Sequence, residues 1–264
     1  MTGVIVLLVG VALAYTNSSV QANLAASDFN SAQQFMQSVG KSVDDVAWTV
    51  GRTDTIAYAT RYGYARYLPS ALNYTVYVKT VGSSSYQFFA TYTVGVLMYQ
   101  IPTFQYSILN GYYRPVLPTS SSTLTLSGTT APIARIFNVE RLGTTDGSFI
   151  RVVAAPDIRY VNATVSAGGS NVFYVKLFLP ILAAGQFPNK VPSITVSGVS
   201  LGISTWDKVA SLNVTVSFPS ASQGFDATFF HFPSLYQIIT PPTGYSDAVL
   251  EFYAGTVSAS LGVS

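Results

Sequence analysis

Residues 4–14, VIVLLVGVALA, carry no polar side chain, and no charged residue occurs before Asp28. A helix built from this run is apolar on every face, so it needs packing partners all round. Beyond Asp28 the pattern changes. Ala32, Phe35, Val39, Val43, Val46 and Val50 recur at spacings of three and four, the period of one helix face. Lys41, Asp45, Arg52 and Asp54 fall mostly between them. All 13 prolines lie at Pro69 or later, so no proline interrupts a helix before that point. The pattern predicts an N-terminal helix over residues 1–66, bent or closely approached at Gly40 and Gly51, and stopped by Gly63 or by Leu68-Pro69.

From Asn73 onward, short runs rich in β-branched and aromatic residues alternate with turn residues. YTVYVKTV, YQFFATYTVGVLMY, STLTLSG, SFIRVVAA, IRYVNATVSAGGSNVFYVKLFL, SITVSGVSLGI, SLNVTVSF, ATFFHF and AVLEFYAGTVSASLGV all read as strands. SAGGSN marks a hairpin turn. Strands at this spacing with no helical pattern between them predict an immunoglobulin-like β-sandwich over residues 67–264. The expected fold class is therefore α+β, a long helix followed by an all-β outer domain.

Composition narrows the function. Only 9% of residues are charged, against about 25% in an ordinary soluble protein. The surface is then either neutral and hydroxyl-rich or hidden against other copies of the chain. A net charge of +2 without any Lys/Arg run provides no electrostatic footprint for nucleic acid or anionic lipid. With no cysteine there are no disulfides and no thiolate chemistry, and a lone histidine gives no metal-ligand cluster, so no cofactor is expected.

The opening run has three readings. Ala12-Leu13-Ala14 has the small-x-small form of a signal cleavage site, but no Lys or Arg precedes the apolar stretch. As a membrane anchor, residues 4–15 fall short of the roughly 20 apolar residues a bilayer requires. Residues 1–27 could still lodge there transiently, with Asn17, Gln21 and Asn23 as costly passengers. In the third reading, copies of the segment supply one another's partners in the core of a helical filament. A helix of some 60 residues, roughly 90 Å long, makes sense in an assembly and little in a monomer.

The layout of GVIVLLVGVALA, continuing into DFNSAQQFMQSVGKSVDDVAWTVGRTDTIAYATRYG and then a β-rich region, resembles the type IV pilin superfamily, specifically its archaeal branch of adhesive pilins and archaellins. The resemblance covers the whole chain as architecture and about the first 65 residues as sequence texture. It implies removal of a short leader, a stay in the membrane, and extraction into a filament core. Bacterial members usually carry a Glu early in the mature helix. Ile5 stands in that place here, and archaeal relatives often lack the Glu.

Sharper motifs weigh less. GVSLG at Gly198–Gly202 matches the G-x-S-x-G elbow of hydrolases, and Ser200, Asp207 or Asp226, and His231 follow in the triad order. The surrounding strands are not those of an alternating α/β fold, so a Gly-Ser turn is the expectation. Asp44-Asp45 reads as a helix face with Lys41 and Arg52 as partners. Tyr58, Tyr62, Tyr64 and Tyr67, near Arg61 and Arg66, read as a packing collar. Glu140 and Glu251 are too isolated in sequence to argue as a glycosidase pair. N-x-[ST] sites stand at Asn17, Asn73, Asn162 and Asn213, the last three being candidates for N-linked glycans.

Together these features predict the major subunit of an extracellular archaeal pilus without catalysis, polymerising as a helical homo-oligomer for adhesion and for surface or cell contact. The residues expected in the filament core are Val4, Ile5, Leu7, Leu8, Val11, Leu13, Val20 and Leu24, followed by Phe35, Val39, Val43 and Val46. The rivals are an archaellin-type motility filament, a filament in which the N-terminus is donated as a strand, and a secreted β-sandwich binding protein or hydrolase with an N-terminal anchor.

Overall fold

The computed structural model describes residues 2–58, 63–102, 113–117, 123–128, 134–140, 149–167, 170–185, 192–242, 245 and 247–262. Within the helix α1 (Thr2–Ala47), side-chain surroundings are described at residues 11, 12, 15, 16 and 20 and from Ser27 on.

The centre of the fold is β10 (Ser193–Ser217), a strand of 25 residues. Its first half pairs antiparallel with β12 (Ala248–Leu261) on one side and with β1 (Thr53–Ala57) on the other. Its second half pairs with β2 (Tyr64–Thr80) and with β11 (Tyr236–Ile239). The change of partners falls at Trp206–Val209, where the register slips and Lys208 takes φ 56°. An irregular residue there lets the strand turn a corner. Beyond β2 the sheet continues through β3 (Gln87–Pro102), β7 (Phe149–Pro156), β6 (Ala134–Glu140) and β4 (Tyr113–Leu117). Beyond β12 it continues through β9 (Ser170–Ala184), β8 (Ile158–Ala167) and β5 (Thr125–Ser127). The sheet curls so that β3 faces β9 across the interior.

Alternation sets which face is inside. Leu72, Tyr74, Val76 and Val78 of β2 and Phe173, Val175, Leu177 and Leu179 of β9 are buried, with Thr75, Tyr77, Tyr174 and Lys176 turned outward. The Tyr67 hydroxyl donates to the Leu182 carbonyl at 2.9 Å, tying β2 to β9. Val94–Ile101 of β3 is buried at every position, the mark of a strand covered on both faces. The second cover includes α1, whose Phe35 ring meets Tyr99 edge-on at 6.0 Å.

These observations overturn the expected fold class. The chain is mostly β, and its strands form one continuous curled sheet rather than the two packed antiparallel sheets of an immunoglobulin-like sandwich. Among the described residues two pairs, β9 with β12 and β5 with β8, are parallel. The helix predicted over residues 1–66 is not there at that length: α1 stops at Ala47, Gly51 takes φ 84°, and residues 53–57 and 64–66 are strand. Glycine in the left-handed region ends a helix at no steric cost, and β1 then finds an open edge on β10. Nor is the helix a unit apart, since Phe29 to Ala47 share one core with the sheet. SITVSGVSLGI and SLNVTVSF are halves of a single strand, and ATFFHF opens as α2 (Ala227–Phe230), capped by the Asp226 carboxylate accepting from Phe229 N–H at 2.9 Å.

Candidate assembly site

α1 divides by its surroundings. Phe29, Ala32, Phe35, Met36, Val39, Val43, Val46 and Ala47 are buried against the chain's own sheet, mainly β10, β6 and β7. At about 1.5–3 kcal/mol for each large apolar side chain, this docking is worth on the order of 10 kcal/mol before entropy. Toward the N-terminus the described side chains are open: Val11 is 60% exposed, Tyr15 77% and Val20 48%. Thr16 returns its hydroxyl to the Ala12 carbonyl at 2.7 Å, which removes one donor's need for water. The side chains of Val4, Ile5, Leu7, Leu8, Leu13 and Leu24 lie outside the described residues.

The sequence reading placed Phe35, Val39, Val43 and Val46 in an intersubunit core. They are instead part of the chain's own, because the helix stripe finds its apolar partner in the same chain. The collar has the same explanation. Tyr58 packs on Phe35 and Tyr99 at 5.0 and 5.3 Å, and Tyr64 meets Gln100, whose amide oxygen accepts from the buried Arg151 guanidinium. Burial pushes the Tyr99 phenol well above its ordinary range, with Tyr58 and Asp28 adding to the shift. Tyr62 and Arg61 lie outside the described residues.

The helix end is seated by two glycines that sequence reasoning missed in this role. A β-carbon at Gly198 would lie 2.3 Å from the Val46 carbonyl oxygen, and one at Gly255 would lie 2.3 Å from that of Ala47. The chain then enters β1 through Gly51 N–H to the Gly198 carbonyl at 2.8 Å and Gly198 N–H to the Arg52 carbonyl at 2.9 Å. Around this seat Trp48 Nε1 donates to Asp44 at 2.9 Å, Arg159 reaches Asp44 at 3.9 Å, and Trp48 meets the Phe178 ring edge-on at 5.4 Å. Asp45 faces Arg52 at 3.9 Å, with both side chains about half exposed, and Ser42 donates to Asp54.

Farther along the same face, Lys176 Nζ lies 2.8 Å from Glu251, which also accepts from the Tyr253 hydroxyl at 2.8 Å. The hydrogen bond from Lys176 holds the Glu251 carboxyl below its usual range, and the same bond raises the Lys176 ammonium. The depressed carboxyl stabilises the fold above the unfolded carboxylate value, and that contribution is lost as pH falls through the folded one. The raised ammonium contributes below its unfolded value and is lost as pH rises through the folded one. The pair therefore matters across neutral pH and fades at both extremes, with a worth under about 1 kcal/mol because it is partly solvated. Melting curves from pH 7 to pH 3 should show wild type and Glu251→Gln converging in acid. A constant gap would exclude this assignment.

GVSLG does not form a strand-to-helix elbow. Ser200 lies exposed within β10, and no helix follows it. Asp226 is occupied as a helix cap, and His231 ends α2 at φ 53° with Nδ1 3.2 Å from the Phe229 carbonyl. No group of His, Asp and Glu suited to a metal ion occurs among the described residues. Glu251 is engaged by Lys176, and the Glu140 side chain lies outside the description. Among the sequons, Asn162 is exposed on β8. Asn73 and Asn213 are half-buried on inner strands, each with a buried Oδ1 that lacks a partner among the described residues. Asn17 is outside the described side chains.

Searches of protein families, of curated proteins and of solved structures find no match to this chain. Among the described residues no helix is long and apolar enough to cross a membrane.

Proposed function

We propose that this protein is the structural subunit of an extracellular filament, joined to its neighbours through the N-terminal part of α1. The observation that carries the reading is the contrast within one helix. Its second half is clamped to the sheet, while its first half, uncharged through Ser27, has Val11 60% exposed. Exposed apolar side chains on an uncharged helix favour an assembly that covers them, and identical segments from neighbouring copies are chemically matched to do so.

In this reading the assembly element is residues 1–27, shorter than the 66 residues the sequence pattern suggested, and the four periodic residues from Phe35 to Val46 transmit position rather than make subunit contacts. The segment waits in a membrane before assembly. The β unit forms the outer wall, neutral and hydroxyl-rich, and meets surfaces and other cells. Asn162 is the sequon best placed for a glycan.

Electron cryomicroscopy of the native material tests the proposal. The expected result is a central bundle of α-helices containing residues 1–27 surrounded by β units. Discrete monomers, or subunits linked by a donated N-terminal strand, would overturn it.

A further inference from the structure

On one edge, β10 lacks a neighbour among the described residues along one stretch. On the side away from β12, β1 pairs with Ser193–Ser197 and β2 with Val209–Ser217. The backbone bonds nearest the interval are those of Gly198 with Gly51 and Arg52 at one end and Val81 N–H to the Lys208 carbonyl, 2.9 Å, at the other. From residue 199 to 207 no backbone bond reaches this edge from any described residue. At about 3.3 Å per residue the interval is roughly 30 Å long. In an antiparallel strand alternate residues turn both N–H and C=O away from the partner, so the interval presents a row of free donors and acceptors.

The side chains are open as well. Val199 is 53% and Ile203 57% exposed, and Ser200, Gly202, Ser204 and Thr205 are also exposed. Natural sheet edges are usually protected by charge, proline or cover. Between Val199 and Trp206 there is no charged residue and no proline.

We propose that this recess receives an extended, uncharged segment of a second copy of the chain, which completes the sheet between β1 and β2. The recess is closed lengthwise by Thr53, paired with Ser197, and by Thr80, paired with Val209. Two β10 strands therefore cannot lie edge to edge, because each would run into the other's β1 and β2. A segment of about seven residues fits, with its ends leaving the sheet plane, and gains main-chain hydrogen bonds along its length. The recess is neutral, with Arg52 at one end and Asp207-Lys208 at the other, so it selects an uncharged strand of alternating apolar and hydroxyl residues. A chain with only 9% charged residues offers such segments. The choice of a second copy rests on the filament reading, in which neighbours are held at high effective concentration.

Amide hydrogen exchange of the full chain, compared between filaments and dispersed subunits over a concentration series, tests this. Among the amides of residues 199–205, the alternate ones turned away from β12 should exchange freely in dispersed subunits and slow by roughly a hundredfold or more in filaments. Ile203→Lys should abolish the slowing without changing the melting temperature of the dispersed subunit. Fast exchange in filaments overturns the inference and leaves the helix-driven filament intact. Slow exchange at every concentration overturns it too, since the chain's own residues then fill the recess. Slowing with concentration but without filaments supports the recess and removes the filament reading. Fast exchange with no filaments removes both.

Discussion

Replacing Val11 with lysine should abolish filaments while the β unit melts as in the wild type. In the single chain Val11 is 60% exposed and contributes nothing to the core, so a charge there has no folding cost. In a bundle of identical helices the same ammonium would be desolvated without a partner, at a cost of several kcal/mol per subunit. Each 1.4 kcal/mol is tenfold in an equilibrium constant, so the critical concentration should rise on the order of a thousandfold or more. Sedimentation of assembled material measures the first effect and thermal melting the second, with Val11→Ile as the control that should still assemble. Normal filaments from the lysine variant would mean that α1 does not lie in the core. A lower melting temperature would mean that residue 11 packs within its own chain.

The second large effect is expected at the helix seat. Gly198→Val and Gly255→Val each place a side chain where the carbonyl oxygens of Val46 and Ala47 stand, 2.3 Å from the new β-carbon. A backbone carbonyl cannot rotate aside as a side chain does, so the end of α1 must lift and the contacts of Val43, Val46 and Trp48 loosen. Overpacking of this kind costs about 1–3 kcal/mol, occasionally more, or roughly 3–10 °C of melting temperature for a chain of this size. Gly202 is the internal control. It lies in the same GVSLG, yet a β-carbon there meets only the Ala254 carbonyl at 3.8 Å, so Gly202→Val should shift stability by no more than about 0.5 kcal/mol. Equal effects at residues 198 and 202 would show that the helix end is not seated there.

GVSLG also shows how a sequence signal can be noticed and misread. GVSLG read as a Gly-Ser turn, whereas it lies inside β10, where the fold uses Gly198 for the close approach of a helix carbonyl and leaves Gly202 open. Spacing alone cannot tell these uses apart, because the atom that needs the room belongs to a segment some 150 residues away in the chain. Gly255 had no motif around it at all. The ion pairs behave similarly: Asp45 and Arg52 are near in sequence and were legible, while Asp44 with Arg159 depends on how α1 docks on the sheet and Glu251 with Lys176 on strand register.

What the sequence determined by itself is local. The spacing of Ala32, Phe35, Val39, Val43 and Val46 marks the face that α1 buries, and alternation in YTVYVKTV and NVFYVKLFL marks which side chains of β2 and β9 turn inward. Both follow from the periods of 3.6 and 2, which every residue obeys wherever the element finally rests. Only the tertiary structure decided what those faces meet. It made the helix stripe part of the chain's own core, ended the helix at Ala47, joined the strands into one curled sheet that includes parallel pairs, and left residues 199–207, on the edge away from β12, without a neighbour among the described residues. A hydrophobic pattern specifies that a face will be covered and says nothing about the partner, because burial is non-directional while hydrogen-bonded register is a property of pairs.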